Sequence, residues 1–318
     1  MLALVYDGEV SLRPDYPNPT AGRDEVLVAV RKVGICATDL EVSRGYMGFR
    51  GVMGHEFVGT VVAGPQQWRG QRVAAEINCV CGRCDMCKSG LANHCRHRTV
   101  FGIDGRDGCF AEQIAVPVRN LHAVPDEISD AEAVFIEPLA AAYQLVRQVQ
   151  VARADRVVVL GDGRLAQLIV RVLKHHKKRP TMVGRHAGKL GAADKQGIQT
   201  VRVDQFVPAA AADVVVDATG SPSGFEMAMR TVRPRGTIVL KSTFAAAEGL
   251  NLAPLVINEI TVTGSRCGPF SDAIGALYTR EVDVSALISA EYTLAEAPAA
   301  LTAAAAGDNI KVLMDVSG

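Results

Sequence analysis

Four cysteines with metal-ligand spacing carry the clearest chemical signal. The segment CVCGRCDMCKSGLANHC contains the pattern C-x2-C-x2-C-x7-C, formed by Cys81, Cys84, Cys87 and Cys95. Four thiolates around one centre make a closed tetrahedral zinc site, so the pattern predicts a zinc that shapes a loop and takes no part in catalysis. The bacterial ferredoxin pattern closes with three intervening residues and a proline, which disfavours an iron–sulfur cluster. Four unligated thiols are the remaining alternative, and the spacing disfavours them.

A second segment, VVVLGDGRLAQLIV, has the glycine pattern of a dinucleotide site. Gly161 permits a tight turn after a strand, Gly163 lets backbone N–H groups approach a pyrophosphate, and Ala166 lets helix and strand pack closely. We therefore predict that Gly161, Gly163, Arg164 and Leu165 bind the cofactor.

The type of dinucleotide depends on the residue that ends the next strand, where an acidic side chain would bind the ribose 2′-hydroxyl of NAD. The sequence there is TMVGRHAGKLGA, with Gly184 at the acidic position. Arg185, His186 and Lys189 follow it, and such groups bind phosphate. Because this segment has no carboxylate, the sequence predicts NADP(H) in preference to NAD(H).

The pattern of apolar and turn residues differs between the first part of the chain and the rest, and the two patterns indicate the elements that position these groups. Up to about residue 130 the sequence has short β-rich runs broken by Gly, Pro and Asp, which is typical of an irregular β-barrel domain. From Asp155 six apolar strands alternate with helices, which predicts a doubly wound parallel sheet and an α/β fold class. We place the dinucleotide domain at 136–270 and assign 1–135 and 271–318 to the other domain.

Charge and hydropathy exclude several classes of partner. The chain has 318 residues with 34 basic and 34 acidic side chains, so no long-range field favours nucleic acid or an anionic membrane. The sequence has no signal-peptide pattern and no apolar stretch of membrane-spanning length, and a cytoplasmic location is expected. In such a reducing compartment the eight cysteines favour metal binding over disulfides.

With these motifs in place, the chain resembles the zinc-containing medium-chain dehydrogenase/reductase family, especially its polyol, threonine and glucose dehydrogenase branch. The matching pieces, in order, are GICATD, GHEFVG, the cysteine cluster, IEPLA, VLGDGRLA, DATG and GTIVL. The resemblance implies a GroES-like catalytic domain joined to a Rossmann domain. It also implies an enzyme that transfers a hydride between an alcohol or carbonyl substrate and a nicotinamide cofactor, and that assembles as a homodimer or homotetramer.

The resemblance further implies a catalytic zinc, distinct from the structural one. Its ligands would come from Cys36, His55, Glu56 and Glu137, with one position free for water or an alcohol oxygen. The two carboxylates remain open alternatives for the inner ligand at a given moment.

Two residues beside Cys36 complete the implied catalytic set. Thr38 would accept the proton of the bound alcohol and pass it towards the cofactor ribose, and Asp39 would hold the second ring nitrogen of His55. Many relatives end this relay with a histidine, where this chain has Glu41, which we expect at the surface.

Additional cofactor contacts follow from the resemblance alone. They are Thr219 and Gly220 after the fourth strand, Ser265 and Arg266 after the sixth, and Lys311, which would reach a pyrophosphate oxygen.

Two other functions are alternatives to this dehydrogenase hypothesis. A zinc-free quinone or enone reductase of the same fold normally lacks both the cysteine cluster and the Cys/His/Glu set, so the sequence argues against it. A non-catalytic NADPH-binding sensor or scaffold would be marked by loss of a zinc ligand or of the glycine pattern, and neither is lost.

Overall fold

The computed structural model describes residues 1–152, 155–243 and 250–317. The chain divides into two compact units. Unit 1 comprises Met1–Glu137, Ala273–Thr279 and Ile288–Gly318, and unit 2 comprises Pro138–Asp272 and Arg280–Leu287.

The short segment Arg280–Leu287 lies in unit 2, although the sequence prediction assigned everything after residue 270 to the first domain. Its attachment has a physical cause. The guanidinium of Arg171 is almost fully buried and donates from Nε to the backbone oxygen of Asp283 at 3.1 Å. A buried cation requires such acceptors, so this contact ties the segment to unit 2.

Unit 1 is built from short strands. They are β1 (Ala3–Tyr6), β2 (Val10–Arg13), β3 (Glu25–Gly34), β4 (Gly51–Val52), β5 (Glu56–Ala63), β6 (Arg72–Ala75), β7 (Asn78–Cys79), β8 (Thr99–Phe101), β9 (Gly105–Arg106), β10 (Gln113–Pro117), β11 (Leu121–Ala123), β18 (Ile288–Thr293) and β19 (Lys311–Asp315). Its helices are α1 (Ala37–Val42), α2 (Asp85–Lys88), α3 (Asp130–Ala133) and α10 (Ala297–Ala305).

The long strand β3 organises unit 1. Its residues Val26, Val28 and Val30 alternate with less buried neighbours, as expected for a strand with one face in the core. One side of β3 pairs with β5. On its other side, the first half of β3 pairs with β10 and its last residues pair with β19. In the described chain the resulting sheet runs β11-β6-β5-β3-β19-β18, with β10 attached to β3. This bent arrangement agrees with the predicted irregular barrel.

Unit 2 contains the parallel sheet. Its strands are β12 (Val157–Leu160), β13 (Pro180–Gly184), β14 (Gln199–Arg202), β15 (Ala212–Asp217), β16 (Val232–Leu240) and β17 (Thr261–Gly264). The helices lying wholly within it are α5 (Arg164–His175), α6 (Ala187–Asp194), α7 (Pro222–Thr231) and α8 (Ala253–Ile257). Helix α4 (Ile136–Gln148) begins at the end of the first segment of unit 1, and α9 (Phe270–Tyr278) begins in unit 2.

The strand order β14-β13-β12-β15-β16-β17, with every pairing parallel, confirms the predicted doubly wound sheet. The order reverses at β12, so ligands of such sheets bind beyond the carboxyl ends of β12 and β15. The edge strands β14 and β17 are more exposed than the sequence suggested, and each pairs on one side only within the described residues. None of the described helices combines the length and the apolar character needed to cross a bilayer.

Candidate active site

Three of the four predicted catalytic-zinc residues converge in unit 1. Strand β3 leads directly into Cys36, the N-cap of α1, and β5 begins at Glu56 directly after His55. The antiparallel register pairs Gly34 with Glu56, which brings the two stretches together. One ligand atom from each of Cys36, His55 and Glu56 lies within 4.8 Å of the others. Thiolate, imidazole and carboxylate at this separation can hold one zinc ion.

Glu137 does not belong to this group of converging ligand atoms. It lies half-buried in the first turn of α4, and its side chain has an interaction within the chain. The structure therefore brings together a smaller set than the four residues that the resemblance implied.

Asp39 orients the group. Its Oδ2 accepts a hydrogen bond from the backbone N–H of Cys36 at 2.7 Å, and its Oδ1 lies 3.3 Å from Nδ1 of His55. Those two atoms are close enough for an ion pair, but they are not aligned as a hydrogen bond. Burial opposes the charged form of His55, yet the negative charge of Asp39 prevails and holds the pKa of His55 well above its ordinary value.

Thr38 lies at the edge of the same group. Its Oγ1 is 3.8 Å from Sγ of Cys36, so a hydroxyl able to donate and accept stands beside the candidate ligands. Glu41, which replaces the relay histidine of many relatives, is exposed and pairs with Arg44 at 2.8 Å.

Lys311 pairs with a buried carboxylate of unit 1. Its side chain is 1% exposed and its Nζ donates to Oε2 of Glu56, itself 1% exposed. An ammonium group held inside unit 1 by a buried carboxylate already has a partner within the chain, and its contact with a pyrophosphate oxygen stays a prediction. The physical reason for the pairing is charge compensation, because Glu56 buried without a cation would be strongly destabilising.

The four-cysteine loop matches a tetrahedral metal site. Its sulfur atoms are 3.5 Å apart for Cys84 and Cys87, 3.5 Å for Cys81 and Cys95, and 3.8 Å for Cys84 and Cys95. Zinc–sulfur bonds of about 2.3 Å in a tetrahedron separate the sulfurs by roughly 3.8 Å. Gly82 has φ 69°, a left-handed conformation that favours glycine and lets the loop turn.

The thiols of this loop differ in how readily they form the thiolate that binds a metal. Backbone N–H groups of Cys87 and Arg96 lower the pKa of Cys84 to about 6, which favours the thiolate. Burial and the neighbouring sulfur atoms raise the pKa of Cys87 to about 12, so a metal would have to displace its proton. Arg96 donates to both oxygens of Asp85 at 2.7 and 2.6 Å and thereby closes the loop.

The glycine turn of unit 2 has the expected local geometry. Gly161 directly follows β12 and has φ 110°, and a Cβ added there would meet the backbone oxygen of Ala218 at 2.8 Å. Gly163 is the N-cap of α5, and Ala166 is buried where the helix packs on the sheet. Arg164 and Leu165 open the helix, so their backbone N–H groups lie at its N-terminus, where anions bind.

Asp162, between the two glycines, is the residue that the sequence analysis missed. Its Oδ2 accepts the backbone N–H groups of Arg185 at 2.6 Å and His186 at 2.7 Å, and both oxygens lie 3.1 Å from Nδ1 of His186. The segment after Gly184 has no carboxylate of its own, as predicted, but a carboxylate does lie at the end of the second strand. The fold brings one there from the glycine turn, and the only sequence signal was an acidic residue inside the glycine pattern.

The three basic residues after Gly184 have different environments. The side chain of Arg185 is exposed, whereas that of His186 contacts Asp162. Lys189 is buried, and its backbone oxygen accepts from Nε2 of Gln167 at 2.7 Å. Of the three predicted phosphate-binding groups, Arg185 is the one whose side chain extends into solvent.

The remaining predicted cofactor residues lie after strand ends. Asp217 closes β15 and accepts the N–H and hydroxyl of Thr219 at 2.9 and 2.7 Å, and Gly220 follows with φ 68°. Ser265 and Arg266 follow β17. The buried Lys241, which the sequence analysis did not single out, donates to Ser265 Oγ at 3.1 Å and to the Arg266 oxygen at 3.2 Å.

Comparisons with known proteins agree with this arrangement. The family model of the alcohol dehydrogenase GroES-like domain matches residues 22–126, and that of the zinc-binding dehydrogenase matches residues 165–281. The chain is similar to the sorbitol dehydrogenase of Halalkalibacterium halodurans, with 30% identity covering 94% of this chain and 93% of that protein.

Solved structures share the whole fold. A structure from Sinorhizobium meliloti 1021, assigned as a zinc-binding dehydrogenase and bound to NADP, has a TM-score of 0.90 and 27% identity. An Escherichia coli CFT073 protein described as a short chain alcohol dehydrogenase, complexed with NADH, has a TM-score of 0.89 and 26% identity. Each match covers 99% of this chain and 99% of the other.

Proposed function

The chain belongs to the zinc-type medium-chain alcohol dehydrogenase family, and on that premise we propose that it oxidises a secondary alcohol, polyol or sugar, or reduces the matching carbonyl, with NADP(H) preferred over NAD(H). It is a zinc-dependent alcohol dehydrogenase acting on CH–OH groups. The convergence of Cys36, His55 and Glu56 is the observation that carries the proposal.

The residues present fit a catalytic zinc. A thiolate, an imidazole and a carboxylate are the donor types of catalytic sites, which keep one position open. When bound, the ion supplies Lewis acidity that lowers the pKa of an alcohol. Glu56 is the carboxylate that converges with Cys36 and His55, although it also pairs with Lys311, and Glu137 is kept as the alternative carboxylate that the family resemblance implies.

Thr38 and Asp39 are the proposed catalytic and positioning residues. The position of the Thr38 hydroxyl beside Cys36 supports its acceptance of the substrate proton, since a hydroxyl can take one proton while releasing its own. Asp39 is fully buried, and its closeness to Nδ1 of His55 supports a role in fixing the imidazole so that the other nitrogen faces the metal.

The cofactor preference rests on the end of β13. The exposed Arg185 supports binding of a ribose 2′-phosphate, and Gly184 supplies no acidic side chain of its own. Gly161, Gly163 and the N-terminus of α5 support binding of the pyrophosphate.

A second, structural zinc is proposed for the four-cysteine loop, giving two zinc ions per chain. The sulfur separations and the lowered pKa of Cys84 support it. Its thiols must stay reduced to bind metal, which supports a reducing location such as the cytoplasm.

The substrate class comes from the relatives. The similarity to a sorbitol dehydrogenase supports a polyol or another secondary alcohol as the substrate.

We also propose that two copies associate through β17. This strand has one paired edge within the described chain, and nearby Val256, Ile257 and Val262 are 80%, 77% and 37% exposed. An open strand edge beside apolar side chains favours pairing with the same strand of a second copy about a two-fold axis. Light scattering is expected to give the mass of a homodimer or a homotetramer.

The decisive experiment measures zinc and turnover together. Purified protein is expected to contain two zinc ions per chain and to reduce NADP, and more slowly NAD, with members of a panel of polyols, sugars and secondary alcohols. Activity should disappear with a chelator and in the Cys36→Ser variant. NADPH binding without turnover across the panel would instead favour a non-catalytic sensor.

A further inference from the structure

The strand end that normally selects the cofactor has no side chain in this protein. In dinucleotide-binding sheets an acidic residue at the end of the second strand binds the ribose 2′-hydroxyl, and here that position is Gly184. A Cβ placed on Gly184 would lie 2.5 Å from both Cβ and Oδ2 of Asp162. The carboxylate of the glycine turn thus occupies the space into which a side chain at position 184 would extend.

We propose that Asp162 is the residue that discriminates between the 2′-hydroxyl and the 2′-phosphate of the dinucleotide. This inference rests on the proposed use of a nicotinamide dinucleotide and adds a residue that limits the preference for NADP(H). The acidic group comes from the turn before α5 instead of from the end of β13, and Gly184 leaves room for it.

The hydrogen bonds of Asp162 fix its carboxylate at this place. Oδ2 is used by the backbone N–H groups of Arg185 and His186, at 2.6 and 2.7 Å. Among the described residues, Oδ1 has only the His186 ring, at 3.1 Å. Because each carboxylate oxygen can accept two hydrogen bonds, Oδ1 keeps the capacity to accept one from a ribose hydroxyl.

The neighbouring helix is locked to the same turn. Gln167 of α5 donates from Nε2 to the backbone oxygen of Lys189 at 2.7 Å, and its side chain is fully buried. The segment that follows β13 is therefore attached to the glycine turn at Asp162 and to α5 at Gln167. A carboxylate held this rigidly acts on a bound ribose without first having to be ordered.

The charged groups of Asp162 and Arg185 have opposite effects on a bound dinucleotide. Burial disfavours ionisation of Asp162, but the hydrogen bonds from His186 and Arg185 outweigh it and keep its pKa below the ordinary value, so the group is anionic at neutral pH. An anionic carboxylate accepts from a hydroxyl and repels a phosphate, whereas the exposed guanidinium of Arg185 attracts a phosphate. The preference for NADP(H) is therefore restrained by Asp162, and both cofactors bind.

The first test compares binding rather than turnover. The substitution Asp162→Asn keeps an oxygen for the two backbone N–H groups and removes the charge. The ratio of the dissociation constants for NADH and NADPH, from fluorescence titration of zinc-loaded protein, is expected to rise roughly fivefold to tenfold, the effect of one unit charge at a partly solvated separation.

The matched control is Asp213→Asn. Asp213 is also a hydrogen-bonded carboxylate of the parallel sheet, but it lies near the amino end of β15 and pairs with Arg233 at 2.6 Å. Its substitution is expected to leave the ratio unchanged. An unchanged ratio in Asp162→Asn would overturn the inference alone, whereas a wild-type protein that binds neither cofactor would overturn the proposed function and the inference together.

A second test uses the steric conflict between Asp162 and a side chain at position 184. Gly184→Asp alone should lower the melting temperature, because its Cβ collides with Asp162. Combining it with Asp162→Gly returns the acid to the strand end, and the double variant should regain stability and bind NADH in preference to NADPH. A Gly184→Asp protein as stable as the wild type, or a double variant with the wild-type ratio, would contradict the exchange of positions.

Discussion

Glu56 and Lys311 form an ion pair inside unit 1, and each side chain is 1% exposed. The pair joins the first residue of β5 to the first residue of β19. Around it the chain leaves little space, since a Cβ on Gly34 would approach both Oε2 of Glu56 and Cε of Lys311 to 2.7 Å. The candidate catalytic zinc group therefore includes a carboxylate whose charge is already compensated.

Lys311→Met is expected to destabilise the protein by about 3–5 kcal/mol, because it leaves a buried carboxylate without its cation. Urea unfolding of the metal-free protein measures this change in the free energy of unfolding. The double variant Glu56→Gln/Lys311→Met should recover most of the loss. Lys32→Met is the control: Lys32 pairs with Glu291 at 2.6 Å near the surface, so its loss should cost no more than about 1 kcal/mol.

Cys87→Ser is expected to remove the structural zinc and leave the catalytic one. The zinc content should fall from two ions per chain to one, and the melting temperature should decrease because the loop loses its centre. Cys79→Ser is the matched control, since Cys79 is buried near the cluster but is not one of the converging thiols. Retention of both ions in Cys87→Ser would contradict the assignment of this loop as a zinc site.

Thr38→Ala is expected to lower kcat by about 10²–10⁴, the range for loss of a proton-transferring group. Thr38→Ser keeps the hydroxyl and should retain most of the activity. Zinc content and melting temperature should be unchanged in both variants, because the Thr38 hydroxyl is beside the ligand set and is not part of it. Equal activities in the Ala and Ser variants would exclude a role for this hydroxyl.

The stability contributed by Asp162 should depend on pH in a defined direction. Its pKa in the folded protein lies below the ordinary value of 3.8, so the stabilisation is fully present above that value and is lost as the pH falls through the folded pKa. The difference in free energy of unfolding between wild type and Asp162→Asn should therefore be constant near neutrality and shrink below about pH 4. Urea unfolding at several pH values measures it, and a difference that does not change with pH would contradict the prediction.

Sequence patterns predicted those parts of the molecule whose geometry is set within one short segment. The cysteine spacing and the turn at Gly161 and Gly163 lie within short segments, so geometry follows directly from sequence there. The parallel sheet was predictable for a related reason, because strands buried on both faces must be apolar throughout.

Long-range pairings were not predictable from such patterns. Lys311 and Glu56 are separated by 255 positions, and nothing near either residue indicates the other. Asp162 stood inside a recognised motif, yet its role depends on Gly184 in the next strand, and a missing side chain leaves no positive signal. The position of Glu137 depends on how α4 begins, which residue types alone do not determine.

The position of β19 beside β3 has a consequence for the order in which the protein folds during translation. This strand pairs with the end of β3, just before Cys36, and it supplies Lys311, yet the whole of unit 2 precedes it in translation. Unit 2 can acquire its sheet while the polypeptide is still being made, whereas the compartment around Cys36, His55 and Glu56 stays incomplete until the final strand emerges. We therefore expect the reactive ion to be loaded late in biogenesis, when the nucleotide-binding half can already have folded.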